Sequence, residues 1–295
     1  MEKHHNSINR IVVKVGTSVV TDDAGVLNRA CMQDIARQIS GLMKRGIEVI
    51  LVSSGAIGSG VRELGLHGTP RDVPTRQGAA AIGQSILMEA WRKEFKRYGL
   101  KVAQILLTYE SFSNRTNYLN LKNTINALMK YNTVAIINEN DPISIYEITE
   151  TFGDNDKLSA LVAVNAEADL LVILTDVDGL YDKNPRHSDA RLIKVVEEIT
   201  PEIEIKGGSA SSWRTRGGMK TKIEAAKITM RTGCDMVIAN AKERDAVTRI
   251  VDGEGIGTLF KASESRYKRK EKWMMCSQCH GKVEVDWGAR EALLK

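Results

Sequence analysis

An α/β architecture, with a parallel sheet held between two helical layers, is what this sequence predicts, and three observations carry the expectation. Helix-period segments that end in a basic turn and a glycine run straight into short β-branched stretches, and they do so three times. The stretches are almost wholly apolar, as in Val49-Ile50-Leu51-Val52 and Leu170-Leu171-Val172-Ile173-Leu174, so both of their faces are covered. Strand and helix alternate along most of the chain, which is the pattern of a parallel sheet with helices on either side.

Taken in order, Ile11–Val15 reads as a first strand. A helix follows whose Ile35, Ile39, Leu42 and Met43 share one face; it ends at Lys44-Arg45-Gly46 and leads into a strand at Ile47–Val52. A second helix aligns Leu87, Trp91 and Phe95, stops at Arg97-Tyr98-Gly99 and feeds Leu100–Leu107. Glycine just past a helix supplies the left-handed turn that ends it, and cations in the last turn suit the helix dipole. Asn117–Tyr131 reads as a helix, Thr133–Ile137 as a strand and Lys157–Ala166 as a helix, followed by the Leu170–Leu174 strand. From Glu197 to Arg216 the pattern loosens into Gly, Ser and charge and reads as a surface loop or hairpin. Met219–Arg231 is again helical, closing at Arg231-Thr232-Gly233 before a strand at Cys234–Ala239. Residues 1–262 therefore form one expected domain. Residues 263–295 form a basic joint with a short extension, too short for a fold of its own, since below roughly 40 residues a domain needs metal, disulfides or a partner.

Composition narrows the class. The 295 residues are 42% hydrophobic and 27% charged, ordinary for a globular protein, and 42 basic against 37 acidic residues give a mild net charge of +5. Nothing so even implies nucleic acid. No apolar run approaches the ~20 residues of a membrane span, and the polar start from Met1 to Arg10 is unlike a signal peptide. Four scattered or paired cysteines do not make a secreted disulfide framework, so a cytoplasmic setting is expected.

Ligands of an open parallel sheet gather beyond the carboxyl ends of its strands. Here those ends read Lys14-Val15-Gly16-Thr17-Ser18, Ser53-Ser54-Gly55-Ala56, Asn138-Glu139-Asn140-Asp141 and Thr175-Asp176-Val177-Asp178-Gly179. Lys14 interrupts an apolar strand, where an ammonium is costly unless it reaches solvent or meets an anion. Gly16 favours the anion, because glycine lets backbone N–H groups come close. Ser54-Gly55 before a helix start makes a second such nest. Arg216-Gly217-Gly218-Met219-Lys220-Thr221-Lys222 opens a helix with glycines and cations, either an anion site or a turn capped by solvated lysines. Gly153-Asp154-Asn155-Asp156-Lys157 places carboxylates and an amide at another helix entrance, where N-capping and a role around a metal–nucleotide serve equally well. The P-loop, dinucleotide-binding and protein-kinase signatures are absent. Cys276-Ser277-Gln278-Cys279-His280 has haem-attachment or half-zinc spacing, with an incidental pair as the plainer reading. The run Arg266-Tyr267-Lys268-Arg269-Lys270 reads as a solvated linker.

Together, and in order, these motifs resemble the amino acid kinase family, and the Ile137-Asn138-Glu139-Asn140-Asp141 and Gly153-Asp154-Asn155-Asp156 stretches resemble its glutamate-phosphorylating branch, which opens proline biosynthesis. Val12–Ser18, Leu27-Asn28-Arg29, Val52–Ile57, Gln84, Gln104–Thr108, Leu174–Asp176, Gly179-Leu180-Tyr181 and Gly217 to Lys222 complete the match, from about Arg10 to Phe260. The resemblance implies a three-layer αβα sandwich around a mainly parallel open sheet, of the carbamate kinase type. It implies ATP as phosphoryl donor with Mg²⁺ and L-glutamate as acceptor. Lys14 and Lys222 would neutralise the transferring phosphoryl group and Asp156 would hold both. Ser54, Asp141 and Asn155 would bind glutamate. Lys14, Gly16, Thr175, Asp176, Gly217, Gly218, Met219 and Lys222 would serve the nucleotide, Gly16 and Gly55 through their backbone N–H groups. No side chain is assigned as a direct metal ligand. A homo-oligomer, dimer or tetramer, and feedback by proline are further implications, with no membrane and no nucleic-acid partner.

The sequence departs from the family at Ser212-Trp213-Arg214-Thr215-Arg216, where a glycine-rich, Thr-containing approach is usual. Lys272-Trp273 and Gly281–Ala289 resemble the beginning of a PUA domain, an RNA-binding type of module. Two rivals remain: a relative acting on acetylglutamate or aspartate, and a non-catalytic regulatory or RNA-binding protein that uses the basic tail. The retained Lys14, Asp156 and Lys222 speak against the second.

Overall fold

A computed structural model describes residues 8–22, 24–144, 155–185, 187–208, 218–263, 271, 273–274 and 285–293, with residues 206–208 described in backbone alone. The chain begins with β1 (Arg10–Val15), α1 (Thr17–Val20), α2 (Arg29–Lys44), β2 (Glu48–Ser53), α3 (Ala56–Glu63) and α4 (Val73–Lys96). It continues through β3 (Lys101–Leu107), α5 (Glu110–Ser113), α6 (Arg115–Lys130), β4 (Thr133–Glu139), α7 (Asp156–Asn165) and β5 (Leu170–Thr175). After these come β6 (Val195–Val196), α8 (Pro201–Gly208), α9 (Met219–Thr232), β7 (Asp235–Asn240), α10 (Ala246–Val251), β8 (Thr258–Phe260) and α11 (Trp287–Leu293).

The strands form one sheet in the order β3-β4-β2-β1-β5-β7-β8-β6, parallel throughout except where β8 runs antiparallel to β7. The mainly parallel sheet between helical layers is thus the architecture that the apolar runs foretold. From β1 the chain first builds outward through β2, then crosses to β5 on the other side. The order therefore reverses at the β1–β5 pair, where Lys14 lies opposite Ile173. A reversal of this kind leaves a crevice at the strands' carboxyl ends.

Period-two alternation splits the core in two. Ile11, Val13 and Val15 pack with Val49, Leu51, Val172 and Leu174 under α2 and α4, whose Ile35, Ile39, Leu42, Leu87, Trp91 and Phe95 are all buried. Val12, Ile50, Val52, Leu171 and Ile173 face the other layer, with Leu121 and Ile125 of α6, Leu158 and Leu161 of α7 and Ile223 of α9. Burying each such side chain stabilises the fold by about 1.5–3 kcal/mol. Helices α3 and α4 approach so closely that a Cβ on Gly60 would lie 1.7 Å from the Ala79 carbonyl oxygen, and one on Gly83 1.8 Å from that of Ala56. That contact fixes α4 against the start of α3.

One expectation is corrected. The loosened stretch from Glu197 contains a helix, α8, because Pro201 presets its first turn and Glu202 and Glu204 favour the positive end of its dipole. Residues 209–217 lie outside the described residues. Beyond residue 262, the Ser263 N–H donates to the Met230 carbonyl at 3.0 Å and the Trp273 indole N–H to the Phe112 carbonyl at 3.2 Å, so this segment touches the main core. Among the described residues no helix is long and apolar enough to cross a membrane.

Candidate active site

Lys14 shares the Val12 face of β1 and so meets the layer that holds α7 and α9. Helix α7 begins with Asp156 and α9 carries Lys222 in its first turn; neither helix has a side-chain cap on its N-terminus. The three charges converge. Lys14 Nζ is 2.7 Å from Asp156 Oδ1, and Lys222 Nζ is 3.0 Å from Asp156 Oδ2. Exposures of 1%, 0% and 4% for Lys14, Asp156 and Lys222 take the cluster out of water. The Thr221 hydroxyl lies 2.8 Å from Asp156 Oδ2 and 2.8 Å from the Gly218 carbonyl oxygen, tying the entrance of α9 to that of α7.

Among the described residues, two buried ammonium groups share one carboxylate. Buried charges of this kind persist only where they are paired and hydrogen-bonded. Helix N-termini also bear on the site, because their unpaired N–H groups carry partial positive charge. The cluster lies at the crevice of the sheet, beside the entrances of α7 and α9. A Cβ on Gly16 would stand 3.6 Å from Lys14 Nζ, in ordinary contact with it. The expectation that Gly16 turns its own N–H toward a ligand is not met. That N–H donates to the Leu174 carbonyl at 3.2 Å, because the β1–β5 ladder continues one residue past the strand. Gly55, at φ +106°, makes the left-handed turn that starts α3.

Beside the charges lies a neutral network. Asn155 Nδ2 donates to Asn138 Oδ1 at 2.7 Å and to Ser54 Oγ at 3.0 Å. Asn138 Nδ2 donates in turn to Gln84 Oε1 at 2.8 Å, and the Trp91 indole N–H holds Ser53 Oγ at 2.9 Å. All four members, Ser54, Asn155, Asn138 and Gln84, are buried. Asp141 stands partly buried in the turn after β4, near the buried Glu139, whose carboxylate accepts from the Ser144 hydroxyl.

At the end of β5, Thr175 is buried and Asp176 exposed, with the Thr175 hydroxyl donating to Asp176 Oδ1 at 3.1 Å. Asp178 accepts from Asn240 Nδ2 and from the Tyr181 hydroxyl, each at 2.8 Å. Those bonds, the Asn240 one first, hold its carboxyl below the usual carboxylate range, and the bond to Asp178 pushes the Tyr181 hydroxyl up.

Among the residues that the sequence singled out, the fold joins Lys14, Asp156 and Lys222 directly, and Ser54 with Asn155. Gly218 and Met219 stand at the entrance of α9. Gly217, Gly153, Asp154, Ser212–Arg216, Arg266–Lys270, Cys276, Cys279 and His280 lie outside the described residues. Four contributors had no assigned role: Thr221, Gln84, Asn138 and Glu139. Gln84 did leave a trace, because it falls in register with Ala80, Leu87 and Trp91 on the buried stripe of α4, where a polar side chain needs a reason.

An open αβα sheet that joins Lys14, Asp156 and Lys222 at its reversal point, in a chain without a P-loop, is an architecture found among small-molecule kinases. The family model described as "Amino acid kinase family" matches residues 9–240, and the chain belongs to that family. It is 53% identical over 287 residues to the glutamate 5-kinase of Methanococcoides burtonii, covering 97% of this chain and 76% of that one. Against the glutamate 5-kinase of Methanosarcina acetivorans the identity is 51% over 301 residues, covering 99% and 78%. The Thermoanaerobacter pseudethanolicus glutamate 5-kinase is 47% identical over 288 residues, covering 97% and 77%. Among solved structures, the UMP kinase from Bacillus anthracis aligns with a TM-score of 0.56 at 17% identity over 85% of this chain and 95% of that one. T. acidophilum isopentenyl phosphate kinase aligns with a TM-score of 0.55 at 20% identity, covering 85% and 99%. These two share the fold.

Proposed function

We propose that this protein transfers the γ-phosphoryl group of ATP to the side-chain carboxylate of L-glutamate, giving L-glutamyl 5-phosphate, the first step of proline biosynthesis. The observation that carries the reading is the buried Lys14–Asp156–Lys222 cluster, whose two ammonium groups, held on one carboxylate, suit a phosphoryl group in flight. The named relatives direct the choice of acceptor.

The chemistry asks little of the protein beyond charge and position. A glutamate side chain, with an ordinary pKa of about 4.3, is already ionised at neutral pH and needs no general base. The barrier is repulsion between two anions plus charge spread over the transferring oxygens. Lys14 and Lys222 offset that charge. Asp156 spaces the two ammonium groups by giving each its own oxygen. Ser54, Asn155 and Asp141 hold the acceptor, while Thr175, Asp176, Gly218 and Met219 line the nucleotide side. The paired lysines beside Gly16 suit a triphosphate. Mg²⁺ bound to those phosphates supplies further neutralisation.

In this reading residues 1–262 are the catalytic unit and 263–295 an appendage. The enzyme works in the cytoplasm as a homo-oligomer and is restrained by proline; glutamate turnover indifferent to millimolar proline removes that last point. The main test is an acceptor panel with ATP and hydroxylamine. Hydroxamate is expected with glutamate alone. Hydroxamate formed only with acetylglutamate or aspartate, or none with any acceptor, contradicts the reading.

A further inference from the structure

The amide network has a direction. Asn138 Oδ1 already accepts from Asn155 Nδ2 and from the Glu139 N–H at 2.9 Å, so that end of its amide is the oxygen. Asn138 Nδ2 must therefore donate toward α4, and Gln84 must answer with Oε1. The polarity set at Asn155 thus leaves Gln84 with its amide nitrogen outside the network. Gln84 is 8% exposed, and its Nε2 has no hydrogen-bond partner among the described residues. A buried donor left unmade is unfavourable, and such groups ordinarily find an acceptor.

We propose that Gln84 is a substrate-positioning residue whose Nε2 donates to a carboxylate oxygen of the amino-acid acceptor. The inference rests on the glutamate reading above. An orphaned N–H pair calls for a ligand that brings only acceptor atoms, and a carboxylate is such a group. The other end of the network, Asn155, is the chain neighbour of Asp156. One hydrogen-bonded unit thereby runs from the phosphoryl-handling charges to the donor that would hold the acceptor.

The cleanest probe is Gln84→Glu, which keeps the oxygen that Asn138 needs and replaces only the donor. With the full chain, the KM for glutamate should rise about 10- to 100-fold, the weight of a hydrogen bond to a charged group. The KM for ATP and the Tm should stay near wild type. As pH falls, the introduced carboxyl group protonates and regains a donor, so the mutant-to-wild-type KM ratio should shrink. A purely structural role predicts no such trend. Should the acidic variant fail to fold, Gln84→Met gives the same readout without the pH signature, and calorimetry gives glutamate affinity directly. A glutamate KM within twofold of wild type, or KM for both substrates rising together with a lowered Tm, overturns the proposal. A wild-type protein that phosphorylates no glutamate overturns the underlying reading as well, which separates the two failures.

Discussion

Asn155 and Asp156 are adjacent in the chain, yet each gathers a different kind of partner. Asp156 draws two ammonium groups into a dry, charged cluster, whereas Asn155 joins a row of neutral hydroxyl and amide groups. The cluster acts through charge, which reaches over ångströms and tolerates small shifts. The amide row acts through hydrogen-bond direction, which fails once one donor or acceptor is reversed. Charge suits a phosphoryl group whose electron density changes during the reaction. Direction suits an acceptor that must be placed before it. Damage to the first should appear in kcat, and damage to the second in the KM for glutamate.

Substitutions can break or sharpen that division. Asp156→Ala should be the most severe, because it leaves two buried ammonium groups facing each other; breaking a buried pair costs about 3–5 kcal/mol, readable by urea unfolding. Lys222→Ala should lower kcat on the order of 10²-fold or more with the KM for glutamate little changed, in an ATP-coupled assay. Near-normal turnover there would remove Lys222 from the mechanism. Asn155→Ala should do the reverse, raising the KM for glutamate roughly tenfold while kcat falls less, as expected for loss of a buried hydrogen bond worth about 1–3 kcal/mol. Equal losses in both parameters would erase the distinction between the two regions. Gly83→Ala should destabilise the protein by about 1–3 kcal/mol through overpacking of α3 on α4. It should also disturb glutamate binding more than ATP binding, because Gln84 moves with the helix.

The smallest effect concerns Asp178. Its folded carboxyl titrates below the ordinary carboxylate range, so its stabilisation is present above the unfolded-state pKa and is lost as pH falls through the lowered value. Asp178→Asn should flatten this acid limb of a Tm-versus-pH profile by lowering the Tm slightly at neutral pH and leaving it unmoved in strong acid. An unchanged acid limb would show that the Asn240 and Tyr181 bonds carry no stability.

Much of this was legible in the residues, and for physical reasons. Strands covered on both faces must be apolar throughout, so β1, β2 and β5 announce themselves. Helices that end in a cation and a glycine mark where the next strand begins, as Gly46, Gly99 and Gly233 do. Lys14 was visible because a charge within an apolar strand needs a partner. Helix α8 was obscured by the Gly- and Ser-rich residues around it. Strands β6 and β8, of two and three residues, are too short to show a period. The amide row was the hardest to see. Its members come from α3's approach, α4, β4 and the start of α7, and the polarity of an amide is decided by neighbours distant in the chain. In sequence Gln84 belongs to the family match and interrupts an apolar stripe, but neither sign assigns it a role.

The cooperation of Lys14 and Lys222 through a shared carboxylate can be measured by a double-mutant cycle on kcat. Lys14→Ala, Lys222→Ala and the double variant would be assayed for glutamate-dependent ATP turnover under saturating substrate. Groups that act as one unit are strongly non-additive. The double variant should therefore be little slower than the worse single variant. A double variant whose loss equals the product of the two single losses would mean that the lysines work independently, and the proposed centre would not be a single device.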